Sequence, residues 1–96
     1  MKIEFDKIKS ARNEKERRLP FTMVEDFTFD TALIKEDTRS NYPERRFVAT
    51  GYLKQRLCIL CFTPVKGGIR VISLRKANKR EIKAYEKEKT GKTVDR

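Results

Sequence analysis

Arg70, Arg75, Lys76, Lys79 and Arg80 fall within one run, Gly67-Gly68-Ile69-Arg70-Val71-Ile72-Ser73-Leu74-Arg75-Lys76-Ala77-Asn78-Lys79-Arg80-Glu81. The glycine pair turns the chain into an apolar strand. Asn78 then reads as the N-cap of a helix, with Glu81 at its third position, close to a capping box. Cations at a strand end and a helix start, where the helix dipole favours negative charge, make a surface suited to phosphate. The chemistry open to it is electrostatic. When an RNA 2′-hydroxyl attacks its own phosphate, the transition state gains negative charge, and fixed guanidinium or ammonium groups stabilise it. Arginine suits the task because it stays protonated and presents a planar fork to phosphate oxygens. The plainer reading of the run is a solvated basic helix start, since Lys and Arg favour any surface.

Several other chemistries lack their residues. The chain has no histidine, so Ser-His-Asp and Cys-His arrangements are excluded, as is a histidine acid–base pair. Glu36 and Asp37 are adjacent, and in a strand they point to opposite faces, while Glu44 lies across a turn; this is weak material for a metal site. No phosphate loop and no dinucleotide fingerprint occurs, and no cofactor is expected. Cys58 and Cys61 form a C-x-x-C, but in a strand a spacing of three puts the thiols on opposite faces, where they share neither a metal nor a disulfide. Both read as small core residues. The proton acceptor for a 2′-hydroxyl must then be Glu, Lys or Tyr. Nearby cations lower the pKa of a lysine toward usefulness and that of a carboxylate away from it.

The elements that must position these groups read as one α+β domain over residues 1–96, with a polar, frayed tail at 91–96. Asp6 caps a helix from Lys7 to Arg18, stopped by Leu19-Pro20. Thr22 and Glu25 suggest a capping box for a second, shorter helix. Four strands follow as an antiparallel meander from Ala32 to Arg75. The strand Leu57–Thr63 is almost wholly apolar, which suits a central position covered on both faces, and Pro64 ends it. A final helix runs from Lys79 to about Lys89. Arg70 and Arg75 are five apart, so a regular strand sends them to opposite faces.

Charge bounds the partners. With 24 basic and 14 acidic residues the net charge is +10, which attracts polyanions: nucleic acid or an acidic protein. No apolar run long enough to span a membrane and no signal peptide is visible, so the reading is cytoplasmic, with no membrane partner.

Three pieces in order carry a resemblance over Phe5 to Glu86. The first is Phe5-Asp6 with Lys9 and Asn13. The second is Glu36-Asp37-Thr38-Arg39 followed by Tyr42-Pro43-Glu44-Arg45-Arg46-Phe47 and Gly51. The third is Arg70-Val71-Ile72-Ser73-Leu74-Arg75-Lys76-Ala77 with Glu81 and Tyr85. Together they resemble the BrnT family of toxins. The resemblance implies a RelE-like fold, a curved antiparallel sheet flanked by helices, and a metal-independent endoribonuclease that arrests growth. It also implies a BrnA-like ribbon-helix-helix antitoxin, and operator DNA contacted only through the toxin–antitoxin complex. One position departs from the family pattern. Where Lys-His-Gly is usual, this chain has Glu16-Arg17-Arg18. Arg17 cannot shuttle protons as histidine does, but it can bind phosphate, and Lys9, Asn13 and Arg17 share one helical face.

The expected catalytic group is therefore Arg75, assisted by Arg46, with Glu44 or a lysine as proton acceptor and Tyr85 as a base-stacking or orienting residue. Arg17, Arg39, Arg70, Lys76, Lys79 and Arg80 are expected to contact RNA. The alternative is a basic module that binds nucleic acid or a partner without catalysis.

Overall fold

The computed structural model describes residues 1–91; apart from Gly91, the expected tail lies outside the described residues. The elements run β1 (Lys2–Glu4), α1 (Lys7–Arg17), a 3₁₀ helix (Phe21–Asp26), β2 (Leu33–Glu36), β3 (Phe47–Leu53), β4 (Arg56–Val65), β5 (Gly68–Lys76) and α2 (Lys79–Thr90). The strands form a five-stranded sheet in the order β1-β5-β4-β3-β2. Strands β2 to β5 are the expected antiparallel meander. The sheet is nonetheless mixed, because β1 adds to β5 in parallel through Lys2↔Gly68, Ile3↔Ile69 and Glu4↔Arg70. A side chain at Gly68 would overlap the Lys2 carbonyl oxygen, so glycine is what lets β1 dock there.

Two N-terminal helices were expected, and one forms as an α-helix. Asp6 caps α1 by accepting from the backbone N–H of Ile8 and Lys9. The second is a six-residue 3₁₀ helix with Pro20 at its N-cap and no side-chain cap, so the Thr22–Glu25 box does not form. Phe21, Val24 and Phe27 recur every three residues and all are buried, a spacing that matches three residues per turn. Strand β4 also runs past Pro64 to Val65. Pairing with β3 ends at Phe62, so the missing N–H of Pro64 breaks no bond to that neighbour.

One face of the sheet is closed. Ala49, Cys58, Leu60, Phe62, Val71 and Leu74 pack there against Leu19, Phe21, Val24 and Phe27. Helix α1 buries only Ser10 and Asn13, and is tied down by hydrogen bonds. Ser10 Oγ accepts from Phe21 N–H at 2.8 Å, and Asn13 Nδ2 donates to the carbonyls of Leu19 at 2.7 Å and Leu74 at 2.9 Å. The Leu74 carbonyl lies past the end of β1, so Asn13 fills an otherwise open edge of β5. The opposite face is half covered. Helix α2 packs Ile82 and Tyr85 over Leu57, Ile59, Leu33 and Val48. Beyond them the face is open.

A bulge sets what stands on the open face. Cys61 pairs with Ser73 but Phe62 pairs with Val71, so Ile72 is an extra residue in β5. It reverses the alternation, as bulges do. Arg70, opposite Thr63, and Arg75, opposite Ile59, therefore share the open face, contrary to the opposite faces that regular spacing gives.

Candidate active site

Three clefts lie on the open face and around its β5 edge, where α1 and β1 sit. The first, about 510 Å³, has Lys35, Arg39, Cys61, Ser73, Arg75 and Tyr85 among its walls. The second, about 680 Å³, holds Lys7, Lys9, Glu44, Arg46, Arg70 and Ile72. A third, about 230 Å³, lies between them with Lys9, Arg12, Asn13, Arg17, Ile72 and Ser73. Ser73 belongs to the first and third, and Lys9 and Ile72 to the second and third. The clefts therefore share walls at the bulge, along a track where cations outnumber the carboxylates.

Arg75 stands on this face and forks onto Glu81, its two terminal nitrogens donating to the two carboxylate oxygens at 2.9 and 2.7 Å, with a further contact to the Lys76 carbonyl at 3.3 Å. Glu81 also accepts from Asn78 N–H while Asn78 Oδ1 accepts from Glu81 N–H, closing the capping box. The anion at this helix start is thus the chain's own Glu81. The hydrogen bond from Arg75 lowers its pKa to about 2, which makes it a poor proton acceptor at neutral pH. The carboxylate orients Arg75 without using it up. A guanidinium has five N–H donors, and the fork onto Glu81 engages only the terminal nitrogens, so Nε–H stays uncommitted to that carboxylate.

Arg39 is built the same way with the edges exchanged. Its Nε and one terminal nitrogen donate to the two oxygens of Asp37 at 2.8 and 2.9 Å, leaving the terminal edge free. Arg46 has a different support: its guanidinium lies 4.2 Å from the centroid of the Tyr42 ring, and its Nε is buried without an acceptor. Arg17 reaches Asn13 Oδ1 at 3.3 Å and the Leu74 carbonyl at 3.5 Å. At the centre is Cys61, half-buried, bonded to Ser73. Burial pushes its thiol pKa up, and Asp37, Arg46 and Arg39 are close enough to act on it. Four arginines from three segments, α1, the β2–β3 connection and β5, thus surround the Cys61–Ser73 floor.

The family model for the ribonuclease toxin BrnT of type II toxin–antitoxin systems matches residues 5–81. The chain belongs to the BrnT toxin family. No curated protein and no solved structure matches it. As a BrnT toxin of a type II module, it has a protein antitoxin as its partner. Among the described residues, no helix is long and apolar enough to cross a membrane.

For a BrnT toxin with no histidine, the placement of the expected residues is informative. Arg75, Arg39 and Tyr85 share the first cleft; Glu44, Arg46 and Arg70 share the second. Arg70 donates to Glu4 at 2.9 Å. Tyr85 is buried, its hydroxyl donating to the Thr31 carbonyl at 2.9 Å and its ring packed edge-on to Tyr52; it is a wall of the cleft, and it lies outside the matched residues. Lys76 pairs with Cys58 on the closed-face side, and it, Lys79 and Arg80 line none of these three clefts. The strongest sequence cluster is therefore divided, with Arg75 turned toward the track. Cys61, expected in the core with Cys58, lies on the cleft floor; the opposite-face argument holds, since Cys58 is buried on the other side. Sequence reasoning missed Lys35, Arg12, Ser73 and the organising pair Asp37 and Tyr42. For Asp37 a signal existed. Asp37-Thr38-Arg39 makes an Asx turn, with Arg39 N–H donating to Asp37 Oδ1 at 3.2 Å, and Asp before a polar turn is its usual mark.

Proposed function

We propose that this toxin is an endoribonuclease that needs no metal ion, and that it cleaves RNA bound along the open face, inhibiting translation and growth. The observation that carries the reading is the convergence of Arg17, Arg39, Arg46 and Arg75 on the Cys61–Ser73 floor. In the proposed reaction the substrate's 2′-oxygen bonds to the neighbouring phosphorus. Its proton goes to the Glu44 carboxylate or to an unpaired lysine of the track, Lys9 or Lys35, acting as the neutral amine. The bond from phosphorus to the 5′-oxygen breaks, and that oxygen leaves with a proton from solvent. The products are a 2′,3′-cyclic phosphate and a 5′-hydroxyl. Arg75 and Arg39 stabilise the extra charge through their free edges, and Arg46 and Arg17 add charge that no carboxylate offsets. Arg70, Lys76, Lys79 and Arg80 serve binding at the margins.

The carboxylates nearest the floor, Asp37 and Glu81, are both engaged by arginines, and among the described residues no three His, Cys, Asp or Glu side chains cluster to hold a metal. A +10 chain also suits an antitoxin with acidic segments that cover the track, and we assign that role to a BrnA-like ribbon-helix-helix protein that brings the complex to operator DNA. The test is cleavage of a defined RNA by the purified toxin in excess EDTA, with the ends identified chemically. Cleavage leaving cyclic phosphate supports the reading. Activity lost in EDTA and restored by magnesium overturns the mechanism, and RNA binding without cleavage leaves only a binding module.

A further inference from the structure

Residues 37–46 join β2 to β3, and a single buried carboxylate organises them. The Asp37 side chain is only 2% exposed, while that of its partner Arg39 is 81% exposed. The carboxylate accepts twice from the Arg39 guanidinium, once from Arg39 N–H and once from the Tyr42 hydroxyl at 3.2 Å. Its backbone N–H donates to the Arg46 carbonyl at 2.7 Å, so Asp37 touches both ends of the segment. The Tyr42 ring, held by that hydroxyl, is the surface on which Arg46 stacks.

A solvent-exposed arginine on a loop ordinarily samples many rotamers, and ordering it at the transition state subtracts from catalysis. Here the ordering is done on folding. The fork from Arg39 holds the Asp37 carboxyl well below the usual carboxylate range, so the anchor stays charged at any working pH. Arg46 is fixed by stacking instead of by an anion, which leaves its charge uncompensated. Its buried Nε has no acceptor from the protein.

We propose that Asp37 is the positioning residue of the site: it sets Arg39 directly and Arg46 through Tyr42, presenting two guanidiniums as a preformed clamp for the RNA phosphate. This rests on the ribonuclease reading above. It assigns a role to a carboxylate that touches no substrate, and it explains why Tyr42 lies between two charged groups.

The experiment is steady-state cleavage of a short RNA by the purified full chain and by Asp37→Asn, Arg39→Ala, the double variant, Tyr42→Leu, Arg46→Ala and the Tyr42→Leu/Arg46→Ala pair, each with its melting temperature. Supporting residues of this kind are typically worth about 10–100-fold. Asp37→Asn should lower kcat by about that factor with little change in KM, because the cations remain and only their placement is lost. On Arg39→Ala it should add less than its full factor, keeping only the part that acts through Tyr42 and Arg46. Tyr42→Leu should likewise lower kcat, and add little to Arg46→Ala. A purely structural role would instead lower melting temperature and multiply through each double variant. If Asp37→Asn keeps kcat within about twofold, or its loss multiplies in full with that of Arg39→Ala, the proposal is overturned. Should Asp37→Asn fail to fold, the tyrosine pair decides by the same two criteria. Cleavage by the parent keeps the ribonuclease reading standing whatever the variants do; a parent that does not cleave overturns both.

Discussion

The two faces of the sheet are made by the same strands and are satisfied in opposite ways. On the closed face alternate residues of β3, β4 and β5 meet Phe21, Val24 and Phe27, and the polar groups brought in with α1 end on backbone atoms, as Ser10 and Asn13 do. On the open face the carboxylates end on arginines: Asp37 on Arg39, Glu81 on Arg75, Glu4 on Arg70. The Arg70 and Arg75 pairs are partly exposed, and ion pairs of this kind contribute little to stability. The closed face therefore carries the fold, and the open face holds charge in fixed directions.

Substitutions on the two faces should separate these roles. Leu60 is fully buried at the middle of β4, and Leu60→Ala should cost about 2–5 kcal/mol of stability. That is a large part of a total near 5–15 kcal/mol, and chemical denaturation would register it; an unchanged midpoint would break the division. Arg75→Ala should lower RNA cleavage by about 10²–10³ with a small change in melting temperature, and Arg75→Lys should recover only part, because the fork is lost. Full activity in a folded Arg75→Ala would move the site toward Arg17 and Arg39.

Glu81→Gln sits on the boundary between faces. The carboxyl's pKa is lowered from 4.5 to about 2 by Arg75, so its ionised form favours the folded state above the unfolded pKa, and the benefit fades as pH falls toward 2. The variant should melt lower than the parent at pH 7, and the gap should close between about pH 4.5 and pH 2. A gap that is constant with pH would assign the loss to the helix cap alone. The smallest effect belongs to Tyr85→Phe. Losing one hydroxyl bonded to the Thr31 carbonyl should cost about 1 kcal/mol, and cleavage should be unaltered; a clear drop in cleavage would return Tyr85 to the chemistry.

The strands and caps were legible because they are local. Asp6 and Asn78 announce their helices by residue type, and the unbroken apolar run of β4 reflects burial on two sides. Three features were not legible. The parallel partner of β1 lies far along the chain, Lys2 against Gly68, and only the glycine at 68 hints at it. The bulge at Ile72 leaves no mark in a run of β-forming residues, yet it overturns the face assigned to Arg70. The capping-box pattern at Thr22 was present but lost to the three-residue spacing of Phe21, Val24 and Phe27, a case of packing overriding a local signal. For the site, the arginines stood out by type, whereas their partition among clefts depends on which strand face each occupies. In sequence Asp37 reads only as weak material for a metal site, because burial of a loop residue is not written in its neighbours.

The last strand to be synthesised lies near the centre of the sheet, bonded on one side to β4 and on the other to β1. A ribosome delivers residues 2–4 long before 68–70, so β1 waits unpaired while most of the chain emerges, and joining them closes a loop whose entropy must be met late. Arg17, Arg39 and Arg46 are likewise made before Ser73 and Arg75 exist. A chain interrupted ahead of β5 has three arginines and nothing to hold them around. The order of synthesis thus assembles the open face only when the final strand is in place.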